Sequence, residues 1–191
     1  LYTTQTVLTQ IMRLQQIVAG SLRSPEGDLV LLPNNRVKET LSVLEEISGK
    51  AIIFAVFQTD IEELTRAIGD SFGVDSVASY YGKTSQKQRE WILDKFQDKD
   101  SDLRFMVSNP HTGGRGLTLT AASHMIFYSN SYDLELRIQA EDRIHRIGQE
   151  QSCTYVDLVC ENTVDEKILA SLKNKINISN EVLGEARKWF Q

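Results

Sequence analysis

Apolar residues along this chain fall into two alternating patterns: short unbroken runs, and longer stretches in which they recur every three or four positions. The run 50–57 (KAIIFAVF) is short and apolar on both faces, which predicts a buried strand. Residues 59–72 follow with Ile61, Leu64 and Ile68 at helical spacing, and 77–81 predicts a second strand that stops at Gly82. Ser85 and Gln88 have the spacing of a capping box, and the helix they open is expected to bury Trp91, Ile92, the stem of Lys95 and Phe96. A third strand is expected over 103–107, running into a polar, glycine-rich loop. A fourth follows over 125–128, then a helix over 133–147 and a fifth strand over 154–159.

Strand and helix alternate with short connections and no hairpin signal. The expected fold is therefore α/β, a mainly parallel sheet with helices on both faces. In such sheets ligands bind beyond the carboxyl ends of the strands, so chemistry is expected in the loops that follow them. Three segments are expected. A helix over 6–18 and a loop with Pro25, Gly27 and Pro33, holding at most a short extended piece, lead in over 1–35; 36–162 forms the lobe; 163–191 supplies helices that pack back on it.

The composition narrows the function without naming it. At 191 residues, 41% hydrophobic and 25% charged, the chain has an ordinary globular mixture and enough length to bury a core. No apolar run is long enough to span a membrane, and the N-terminus lacks a basic-then-apolar signal, so no membrane partner is expected. Leu1 in place of an initiator methionine suggests a piece of something longer. A net charge of −5 argues against gripping nucleic acid by bulk electrostatics, yet leaves room for a local basic track or backbone amides on a few phosphates. Cys153 and Cys160 match no usual zinc spacing and read as small apolar residues in or beside a strand. His111 and His124 have no ligand partners in view, so no metal site is expected.

The segment 139–149 (QAEDRIHRIGQ) carries the most specific signal. On a continuous helix Gln139, Arg143 and Arg146 fall at i, i+4 and i+7 and share one face, a planar multidonor surface suited to phosphate oxygens. Ile144 and Ile147 would then anchor the helix to the sheet. For a lone arginine pair, a solvated face laced with salt bridges, Glu141 with His145 for instance, would be the better explanation. The whole string, however, resembles motif VI of superfamily-two helicases in the form used by Swi/Snf-type DNA translocases. That resemblance implies a RecA-like three-layer α/β/α sandwich. It makes Arg143 and Arg146 arginine fingers that reach an ATP γ-phosphate held by a partner lobe, with Gln139 supporting the same face.

Other segments extend the resemblance over roughly 50–183. Thr112 and the run Gly113-Gly114-Arg115-Gly116 after a strand resemble motif V. Glycines there let backbone amides approach an anion, and the resemblance puts Gly114 and Gly116 toward ATP and Thr112, Gly113 and Arg115 toward DNA. Gly82, Lys83 and Thr84, with Arg89 a turn later, resemble the family's second DNA-backbone segment. A capped turn with Arg89 in a structural salt bridge would explain the same residues. Residues 163–168 resemble the family's closing helix start, with an acidic pair suited to a helix N-terminus. Tyr132-Asp133-Leu134 departs from a common Trp-Asn-Pro, which points to a bacterial or phage branch and a cytoplasmic setting.

The sequence contains no phosphate-binding loop of the Walker type and no acidic Mg²⁺-holding strand end. In the family these belong to an N-terminal RecA-like lobe. The expected function is therefore the second motor lobe of an ATP-dependent translocase on duplex DNA, using ATP and Mg²⁺ and inactive alone. A catalytically silent docking module and a strand-separating DNA or RNA helicase are the alternatives.

Overall fold

A computed structural model of the chain describes residues 4–23, 28–112 and 117–174. The five predicted strands form one sheet: β3 (Lys50–Phe54), β4 (Val77–Tyr80), β5 (Phe105–Ser108), β6 (Ala122–Phe127) and β7 (Thr154–Asp157), in the order β4-β5-β3-β6-β7. Every pairing is parallel. The central strand β3 is buried along its whole length, which is why its sequence is apolar on both faces.

Alternate residues feed two cores. Ala51, Ile53, Phe105, Val107, Ile126 and Tyr128 pack against α2 (Arg36–Glu45) and α3 (Gln58–Phe72) through Leu44, Ile61, Leu64 and Ile68. Ile52, Phe54, Met106, Met125 and Phe127 face the other way, onto Ile92 and Phe96 of α4 (Gln86–Gln97) and Ala140 of α5 (Leu134–Glu141). The result is the three-layer α/β/α arrangement of a RecA-like lobe.

Several helix ends carry the chemistry that the sequence announces. Ser85 accepts from the Gln88 amide, and the Gln88 side chain returns to Ser85, a complete capping box for α4. Lys50, at the start of β3, closes the other end of that helix by donating to the carbonyls of Lys95 (3.2 Å) and Asp98 (2.6 Å). Asp133 caps α5, and Thr163 caps α6 (Val164–Lys173), whose first turn holds Asp165 and Glu166.

Four expectations change. Helix α2 was not anticipated, although Val37, Leu41 and Leu44 carry its spacing. The loop after α1 (Thr4–Ala19) contains a small antiparallel ribbon, β1 (Ser21–Arg23) with β2 (Leu29–Leu31), so one hairpin interrupts the alternation. Trp91 is 55% exposed instead of buried, and Lys95 is exposed too. The cause is position: α4 lies over edge strand β4, and its buried stripe runs through Ile92 and Phe96. Finally, α5 ends at Glu141, well short of Ile147.

The two terminal helices pack together, Val7 and Ile11 of α1 against Val164, Ile168 and Leu172 of α6. Buried Arg36 ties this pair to the lobe through an ion pair with Asp165 and a hydrogen bond to the Tyr128 carbonyl. Of the predicted C-terminal helices, α6 is the described one, and 175–191 lie outside the described residues. Among the described residues no helix is long and apolar enough to cross a membrane. Both cysteines flank β7 as free thiols.

Candidate functional site

Strands β4 and β5 are neighbours, so the loops at their carboxyl ends, from Tyr81 and from Asn109, lie side by side. Asn109 joins the second of these to the exit of β3, donating to the Val56 carbonyl at 2.7 Å and accepting from the His111 amide at 2.8 Å. The segment after α5 reaches the same edge.

That segment is a compact turn over 142–149, and this corrects the expected single helical face. Tightened bonds (Arg143 N–H to Ala140, Ile144 N–H to Glu141) end the helix. The Arg143 carbonyl then leaves the helical pattern to accept from the Leu119 amide at 2.9 Å. Gly148 reverses the chain at φ +100°, a conformation that suits glycine and no β-carbon-bearing residue. Gly148→Ala is expected to lower stability by about 1–2 kcal/mol, read as a reduced urea midpoint.

The two arginines take different environments. Arg143 is 6% exposed. Its guanidinium donates to the carbonyls of Pro110 (3.0 Å) and Thr112 (3.4 Å) and lies over the Phe54 ring. Burial, and then the charge of Arg146, pull its pKa below the usual arginine value. Arg146 is exposed and donates to the Thr118 hydroxyl at 3.2 Å. The pair thus touches both flanks of the glycine loop, Pro110–Thr112 on one side and Thr118–Leu119 on the other. Gln139 bonds back to Glu135 on α5 at 2.9 Å. Ile144 is fully buried as expected, whereas Ile147 projects completely into solvent and anchors nothing. Glu141 pairs with Arg137, in place of the expected His145.

Gly113, Gly114, Arg115 and Gly116 lie outside the described residues. Thr112 is described, and its carbonyl is one of the two that Arg143 holds.

The turn after β4 is organised internally. The Thr84 hydroxyl accepts from the Tyr81 amide and donates to the Ser79 carbonyl. Arg89 fills the turn by donating to the carbonyls of Thr84 (2.9 Å) and Tyr81 (3.0 Å), so it acts as a carbonyl clamp and not through a carboxylate. Gly82 is exposed, and Lys83 pairs with Glu62 at 3.2 Å while both remain largely in solvent. Such a pair is weak and easily exchanged for another anion.

Two residues not singled out beforehand prove central. Gln149 donates from one amide nitrogen toward three carbonyls, and Gln97 at the end of α4 donates to the Thr118 carbonyl and accepts from the Ala121 amide. Gln149 was visible as the last letter of the motif, but its partners are set by tertiary structure alone. Among the described residues no three His, Cys, Asp or Glu side chains gather as a metal site would require.

These features define a helicase-type lobe, and the comparisons agree. The helicase conserved C-terminal domain family matches residues 34–148, and the chain belongs to it, with relatives of the Swi2/Snf2 type. DNA repair protein RAD5 of Kluyveromyces lactis is 31% identical over 160 residues, 80% of this chain and 14% of that protein. The DNA annealing helicase and endonuclease ZRANB3 of Mus musculus is 31% identical over 152 residues, 78% of this chain and 14% of that protein. The Sulfolobus solfataricus SWI2/SNF2 ATPase core in complex with dsDNA superposes with a TM-score of 0.72 at 26% identity, covering 96% of this chain and 40% of that one. The chain spans a fifth or less of the length of the curated relatives it matches.

Proposed function

We propose that this chain is the second motor lobe of an ATP-dependent translocase on double-stranded DNA, working with an N-terminal RecA-like lobe. The observation that carries the reading is the 142–149 turn, which is hydrogen-bonded to both flanks of the glycine loop. The exposed guanidinium of Arg146 at this turn is a cation suited to a phosphate oxygen.

On this reading Arg146 and Arg143 are directed to the γ-phosphate of ATP, with Gln139, Gly114 and Gly116 on the nucleotide side. Gly82, Lys83, Thr84, Thr112, Gly113 and Arg115 face the DNA backbone. Exposed Lys83, whose carboxylate partner is easily exchanged, suits a phosphate contact. The partner lobe would hold Mg²⁺, which supplies charge neutralisation at the phosphates. A cytoplasmic, bacterial or phage-encoded protein fits the departures at Tyr132–Leu134.

The test compares the full-length protein with this chain alone. Full-length protein is expected to hydrolyse ATP faster with duplex DNA, and the isolated 191-residue chain to show no DNA-stimulated turnover. Turnover by the isolated chain, or a full-length ATPase indifferent to duplex, would sink the proposal. Lys83→Ala is expected to raise the duplex concentration for half-maximal stimulation several-fold and to flatten its salt dependence, as loss of one phosphate contact should.

A further inference from the structure

Gln149 is not one of the groups proposed to touch ATP or DNA, yet its side chain is held at both ends of its amide. Its amide nitrogen lies 2.8 Å from the Ala122 carbonyl, 3.2 Å from that of Thr120 and 3.2 Å from that of Ile144. Its amide oxygen accepts from the Gln151 N–H, and its own backbone N–H donates to the Arg146 carbonyl. An amide NH₂ has two hydrogens, so three carbonyls around it make a shared, saturated fork. Two of them belong to the entry of β6, a strand paired on both sides within the sheet, and the third to the arginine-bearing turn.

The turn therefore has two anchors. Arg143 and buried Ile144 fix its beginning, Gln149 its end, and Gly148 supplies the reversal between them. His145, Arg146 and Ile147 are exposed at the tip. The Thr118 hydroxyl that Arg146 meets is itself carried on a segment held by Gln97.

From this geometry we infer that Gln149 is the positioning residue for Arg146: it fixes the tip relative to the sheet and so sets where the guanidinium is delivered. This rests on the reading of Arg146 given above. Preorganised placement matters because a cation misplaced by about 1 Å can cost about 10²-fold in rate. Glutamate in this position would keep the size and lose both donors, setting a carboxylate against three carbonyls. Methionine would keep the length and remove all polarity.

The experiment uses the full-length protein with Gln149→Glu, Gln149→Met, Arg146→Ala and the double variant Q149E/R146A. Each Gln149 variant is expected to lower kcat at least tenfold, with KM for ATP changed less than threefold. On the Arg146→Ala background Q149E should add less than twofold, because residues acting through one group are not additive. Full additivity, or an unchanged kcat, overturns the inference. Hydrogen exchange gives a second readout that needs no turnover. The Leu119 and Gln149 amides should exchange at least tenfold faster in Q149E while those of β3 stay protected; unchanged protection at the turn also overturns it. If Arg146→Ala itself leaves turnover intact, the reading of Arg146 fails, whereas exchange still judges the clamp.

Discussion

Replacing Arg146 with alanine in the full-length protein is expected to cut ATP turnover by about 10³-fold or more, the scale that arginine fingers reach in other NTPases. The fold should survive. Arg146 and the Thr118 hydroxyl it meets are both exposed, so water can take over that contact when the side chain is removed. Lysine should recover little, because a point charge cannot reproduce the planar fork. Arg143→Ala is expected to behave differently. That guanidinium is buried over Phe54 and holds two loop carbonyls, so its loss leaves a cavity and two weakly satisfied acceptors. Activity and melting temperature should both fall. Steady-state ATPase rates with duplex DNA, set beside thermal melts, separate the two cases. An Arg146→Ala protein that retained a tenth of the parent rate would remove this residue from the proposed chemistry.

The contrast between the arginines shows what periodicity alone conveys. The strands were legible because β3, β5 and β6 are almost wholly buried on both faces and so are mostly apolar, with Lys50, Ser108, Ser123 and His124 as exceptions. That the strands run parallel followed from the alternation with helices. The capping box at Ser85 and the acidic start of α6 were legible because they are local chemistry. The end of α5 was not. Nothing between Asp142 and Ile147 forbids a helix, and the bond that breaks it comes from Leu119, distant in sequence. A tertiary partner outweighed a favourable local pattern, and the assumed common face of Gln139, Arg143 and Arg146 dissolved with it. Trp91 failed in the same way, since only the sheet order reveals that α4 covers an edge strand.

Shifting the pH from 4 to 8 should weaken the lobe through a single carboxyl group, and Asp60→Asn should abolish that component. Asp60 is 1% exposed in the first turn of α3, with Oδ2 lacking a partner and Oδ1 receiving only a long bond from Thr59. Burial pushes its pKa from the ordinary value near 3.8 up to about 7; Glu63 adds to the rise, while Thr59 and Arg36 oppose it. The helix N-terminus also favours the anion, but desolvation outweighs it. Tyr128 nearby is raised for related reasons, burial first and then Asp60. Because the folded state keeps the proton to a higher pH than the unfolded state, Asp60 favours folding least above its folded pKa. Stability is unaffected below about 3.8, falls as pH rises, and levels off just above 7. The full loss is on the order of 4 kcal/mol. Glu62 has a lowered value and gives the opposite slope, so the quantity to read is the difference between parent and Asp60→Asn. Urea unfolding at pH 5 and pH 8 supplies it. Asparagine should close the gap at pH 8 by making the neutral form permanent beside the Arg36–Asp165 pair. Equal slopes for the two proteins would mean that Asp60 stays ionised throughout, with Arg36 as its effective counterion.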